Sequence, residues 1–141
     1  MSDYTLHGKY ALHGRQGVFE GVLSPDANGN FQTNVIDHGA TLPHQPVKGF
    51  VRSNSEGTLL LFLKTPPDAH LAQILYAVQK ESQGISGTYT GFWYAFPKSF
   101  PINLEHAAQL ALRFSLEDLP HTFTDDARVT LCERISSPRR T

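Results

Sequence analysis

The chain has a single cysteine, Cys132, which excludes an intrachain disulfide and any zinc or iron-sulfur framework built on several thiolates. Its longest aliphatic run, Leu59 to Leu63, is far too short to cross a bilayer as a helix. Net charge is nearly absent. Twelve Lys and Arg against thirteen Asp and Glu leave -1, so no overall field draws the chain to nucleic acid or to an anionic membrane. No serine lies in a Gly-x-Ser-x-Gly elbow, and no glycine-rich phosphate loop is present. Met1 to Gly8 shows no basic stretch leading into an apolar one. Together these absences predict a soluble cytoplasmic protein with no metal, no cofactor, and no nucleic-acid or membrane partner.

What is present is a steady supply of aromatics, nine Phe, five Tyr and one Trp spread over 141 residues, which suits one packed core. A single domain over residues 1–135 with a polar tail at 136–141 is expected. Tyr4, Leu6, Gly8, Tyr10 and Leu12 alternate with Thr5, His7, Lys9, Ala11 and His13, the period of a strand with one buried face. Similar segments follow at Val18 to Leu23, Phe31 to Val35, Val47 to Ser53, Thr58 to Lys64, Leu71 to Lys80, Ile85 to Phe96 and Ala127 to Cys132. Gly14 to Gly17, Ser24 to Asn30, Asn54 to Gly57, Thr65 to Asp68 and Glu81 to Gly84 supply turn chemistry between them. Residues 99–108 suit a loop or helical turn, and Leu110, Leu112, Phe114 and Leu116 alternate like one further strand.

Short strands joined in sequence by turns, with no strong helices between them, predict an all-β, antiparallel, mostly up-and-down barrel of about eight strands. Gly8, Gly21, Gly49, Gly87 and Gly91 fall inside strand segments, where glycine marks a bend or a close backbone approach, and strong curvature favours a barrel over a sandwich. The segment Gly87-Thr88-Tyr89-Thr90-Gly91-Phe92-Trp93 resembles the Gly-x-Trp strands of calycin-type barrels, which include lipocalins, fatty-acid-binding proteins and avidins. The likeness covers about seven residues. It implies a calycin-like architecture, with no ligand or site residue carried over.

Candidate chemistry is sparse. His7 and His13 share a strand face but stand roughly 20 Å apart at the ~3.3 Å rise of a strand, too far for one metal. His38 and His44 flank a loop that brings Asp37 close in sequence, yet two loop histidines without further ligands are the simpler reading. Glu20 is a buried general acid or base if Val18 and Val22 face inward, and merely exposed if Phe19 and Leu23 do; the cost of burying an unpaired carboxylate favours exposure. Arg134, Arg139 and Arg140 read as a solubilising tail.

Alternation fails in three consecutive segments. Leu59 to Leu63, Leu71 to Val78 and Phe92 to Phe96 are apolar on both sides, so they need cover on two faces. A homo-oligomer interface formed by Leu59, Leu61, Leu63, Phe92, Tyr94 and Phe96 is the preferred cover, and packing of the Ser99 to Ala108 region over the same face is the alternative. Inside the barrel, Tyr4, Tyr10, Tyr76, Tyr89 and Trp93 suit an apolar pocket with a few polar tips. Binding of a small, largely apolar or aromatic molecule there is therefore the leading expectation. An interaction or structural module with a packed interior comes second. Third is a barrel lyase or isomerase pairing a Tyr with Glu20 or a histidine.

Overall fold

The computed structural model describes residues 3–12, 15–40, 42–67, 71–99, 101–107 and 123–134. Eight strands, β1 (Asp3–Leu12), β2 (Arg15–Leu23), β3 (Asn30–Asp37), β4 (His44–Asn54), β5 (Gly57–Lys64), β6 (Gln73–Lys80), β7 (Gly87–Phe96) and β8 (Phe123–Arg134), form one closed barrel in chain order. Each strand pairs antiparallel with its sequence neighbour, and β1 closes the ring against β8 with Leu6 opposite Leu131. The up-and-down barrel is thus as the alternation predicts. β2 begins earlier than its glycines suggest, because Arg15, Gln16 and Gly17 pair with Leu12, Ala11 and Tyr10 instead of turning. The proposed strand at residues 110–116 and the tail at 136–141 lie outside the described residues.

One parity of every strand faces inward. Leu6, Phe19, Leu23, Val35, Leu60, Phe62, Tyr76, Val78, Tyr89, Trp93, Val129 and Leu131 form a single buried cluster. Its centre is a layer of rings. Phe62 stacks on Tyr76 at 4.7 Å and meets Phe19 edge-on at 6.1 Å, while Phe19 lies 5.1 Å from Tyr76. β2 and β6 stand on opposite sides of an eight-strand ring, so the contact between Phe19 and Tyr76 spans the lumen. Gly8 permits it: a Cβ there would sit 2.1 Å from the Phe19 ring.

The end of the barrel carrying residues 24–29, 55–56 and 81–86 is tied shut. Asn54 Oδ1 accepts from the backbone N–H groups of Glu56 and Gly57, and Gly57 takes a positive φ that ordinary residues avoid. Thr58, buried and inward, donates to Ser82 O at 2.9 Å, and Tyr89 donates its hydroxyl to Ile85 O at 2.6 Å. Lys80 Nζ bonds Ser82 Oγ at 3.0 Å.

A second apolar cluster lies outside the barrel wall. Phe50, Leu61, Leu63, Leu75, Tyr94, Phe96 and Ala107 are buried together, with Leu59, Ala77, Ile102 and Leu104 packed at their edge. β5, β6 and β7 are neighbours, so the apolar face anticipated from failed alternation exists. The chain's own residues 101–107 cover it, with a helical turn at 104–107 started by Asn103, whose Oδ1 accepts from His106 N. Thus Leu61, Leu63, Tyr94 and Phe96 are shielded within one chain, Leu59 is partly buried, and Phe92 stays 48% exposed.

An ion pair fastens this cover. Arg52 grips Glu105 through two bonds of 3.0 and 2.7 Å, with its guanidinium 3.8 Å above the Phe50 ring. The hydrogen bonds from Arg52 hold the Glu105 carboxyl below its ordinary range. A carboxyl depressed on folding stabilises above its unfolded pKa and loses that contribution as pH falls through the folded value. Amide exchange in residues 101–107, taken relative to its intrinsic rate at each pH, should therefore quicken by no more than a few-fold below the usual carboxylate range. Glu105→Gln should show the faster rate already at neutral pH and lose most of the acid dependence.

Candidate functional site

Parity carried to the strand ends places three polar side chains at one end of the lumen. Asp37 shares its face with Phe31 and Val35 on β3, Gln45 with Val47 and Val51 on β4, and Lys64 with Leu60 and Phe62 on β5. All three are buried, and all sit at the end away from the closed loops. Lys64 Nζ donates to Asp37 Oδ2 at 2.8 Å, with both side chains at most 5% exposed. The other Asp37 oxygen accepts from Gly39 N at 3.0 Å, which fastens the loop after β3.

The pair rests on the ring layer. Lys64 Nζ stands 4.7 Å from the centre of Phe19 and 5.4 Å from that of Tyr76, positions where a cation meets the electron-rich ring faces. Burial, with the Asp37 charge adding to it, pushes the Tyr76 hydroxyl well above its ordinary range, so it stays a neutral phenol. Gln45 lies on the strand between the partners. The bond from Asp37 N to Pro43 O and the rung pairing Val47 with Lys64 bracket it, which places Gln45, near the start of β4, between the ion pair's anchors. Its Nε2 donates to Leu42 O at 3.3 Å.

Of the expected ligand residues, Tyr76, Tyr89 and Trp93 are buried in the inner cluster and Tyr4 packs at its edge. Tyr10 occupies the same inward parity of β1, opposite Gly17, and its side chain lies outside the described residues. The set does not form one site. Tyr89 and Tyr4 belong to the closed end: Tyr89 is held by Ile85 O, and burial followed by the nearby Tyr4 raises its pKa. Tyr76 and Trp93 are register partners on β6 and β7, nearer the ion pair.

An acid-base site using Glu20 or a histidine with a lumen tyrosine is not assembled among the described residues. Phe19 and Leu23 take the inward parity, so Glu20 points outward and lies 3.4 Å from His38. His7, His38, His44 and His106 are exposed, and His13 lies outside the described residues. Asp37 is buried and meets Lys64 while His38 and His44 are exposed, and among the described residues no three His, Cys, Asp or Glu side chains cluster for a metal. No described helix is long and apolar enough to cross a membrane.

Lys64 and Gln45 escape a reading based on apolar runs, because each is a polar residue at the very end of an inward row. The available signal is parity extended one step past the last hydrophobic residue. No family profile, curated protein or solved structure matches the chain.

Proposed function

We propose that the protein binds a small, largely apolar or aromatic molecule at the end of the barrel that carries Asp37, Gln45 and Lys64, above the Phe19, Phe62 and Tyr76 layer. The observation that carries this reading is the buried Asp37 and Lys64 pair. Two charges withdrawn from water into an aromatic lumen are a poor route to stability, since well-packed apolar residues do as well or better. Buried ionisable groups with a specific partner are, by contrast, common where something is recognised. Gly17 adds no side chain, and Ala72 and Ala95 only small ones, at inward positions toward this end. Leu42 and Leu71, 48% and 47% exposed, give its rim an apolar character. Eight-stranded barrels can hold one small ligand in this manner, as calycin-type barrels do. A free, exposed Cys132 thiol fits a cytoplasmic setting.

Trp93 is the sole tryptophan and is buried in the lumen, so its fluorescence reports occupancy. Titration with lipids, haem, flavins and aromatic metabolites should give a saturable shift or quench with at least one aromatic member. No response across the whole panel would sink the proposal. The ring layer itself favours a second reading, a homo-oligomeric interaction module with a solid interior. Its contacts would include half-exposed Phe92, and it requires a dimeric or larger mass in light scattering.

A further inference from the structure

We infer that the ligand presents a hydrogen-bond donor, an aromatic N–H or O–H, to Gln45 Oε1; this rests on the binding reading above and specifies its ligand class. Gln45 is 2% exposed, and its Oε1 has no hydrogen-bond partner among the described residues. The bond from Nε2 to Leu42 O fixes which way the amide lies, because the flipped side chain would set oxygen against oxygen. A buried carbonyl oxygen without a donor is costly, and a ligand that supplies one recovers that cost on binding.

The neighbours narrow the class further. An ionised carboxylate only accepts hydrogen bonds. Placed here it would meet the acceptor oxygen of Gln45, and it would bring a second negative charge to a Lys64 whose charge Asp37 already balances. Fatty-acid-like anions are thus disfavoured. A flat neutral ring with one donor satisfies Gln45 without adding charge beside the ion pair and suits an aromatic lumen, which leaves phenols and indoles as the matching chemistry.

The experiment is a calorimetric titration of the intact protein with indole and phenol, with 1-methylindole and anisole as the same rings lacking the donor, and with dodecanoate. Indole or phenol should bind roughly ten-fold or more tightly than its methylated counterpart, as expected where a site built for a donor loses it. Gln45→Leu should remove that preference while keeping affinity for the rings. Equal binding of methylated and parent compounds, or binding of dodecanoate alone, overturns the inference and leaves barrel binding intact. If none of the probes binds and Trp93 is also silent across the wider panel, both fall. The comparison between parent and methylated probes needs no variant, so it decides the matter even if Gln45→Leu does not fold.

Discussion

Lys64→Met should lower the unfolding free energy by about 3–5 kcal/mol, measured by urea denaturation at neutral pH, because it leaves the Asp37 carboxylate in an aromatic lumen without this cation. Asp37→Leu should cost a similar amount, since it takes from the buried Lys64 the carboxylate that it meets at 2.8 Å. The informative variant is the pair together. With both charges gone, Met at 64 and Leu at 37 fill the space with apolar atoms, and such replacements are commonly neutral or stabilising. The expected outcome falls slightly short of that, because Asp37 also accepts from Gly39 N, a bond worth roughly 1 kcal/mol. The double variant should therefore lie within about 1–2 kcal/mol of the parent, far above either single one. A double variant as unstable as the two singles summed would mean that the pair is needed to build the barrel. A stable double variant that no longer changes Trp93 fluorescence with any ligand would place its purpose in binding.

The same variants bear on how far the sequence reveals this site. Alternation from Tyr4 to Leu12 indicates a strand whichever face is buried, and the turns between such strands order the barrel. What a row of alternating residues does not indicate is where the inward row ends. Lys64 follows Leu60 and Phe62 on the same parity, but a lysine at a strand end is ordinarily solvated, and only the arrival of Asp37 from β3 makes burial tolerable. That partner is 27 residues away in sequence and one strand removed in the sheet. The apolar outer face shows a similar division. Runs such as Leu59 to Leu63 announce that both faces are covered, but the identity of the cover depends on Ile102, Leu104 and Ala107, whose spacing is too short to display a helical stripe. Glu105 completes that cover by meeting Arg52, 53 positions earlier.

Phe62 and Phe92 make the clearest contrast between parity and hydrophobicity, since both sit in runs that are apolar throughout. Phe62→Ala should destabilise the protein by about 3–5 kcal/mol, the usual loss for a fully buried ring. It removes the stacking partner of Tyr76, the edge contact to Phe19 and the tilted contact to Phe31, three of the rings that fill the lumen. Phe92→Ala, on the outward parity and half exposed, should cost under about 1 kcal/mol. Urea midpoints of the two variants check the difference. The space left by Phe62 would be lined by Phe19, Phe31 and Tyr76, and apolar cavities of this kind stay dry and accept benzene-sized molecules. Benzene should therefore raise the melting temperature of Phe62→Ala more than that of the parent, whose ring layer already occupies the centre. The donor preference assigned to Gln45 should survive in the same variant, because Gln45 stands four residues along β4 from Gly49, the register partner of Phe62. A loss below about 1 kcal/mol on Phe62→Ala, with no benzene effect, would show that the lumen collapses around the missing ring. The floor on which Lys64 rests would then be soft, and a site for a flat, rigid ligand would lack the firm surface that its recognition requires.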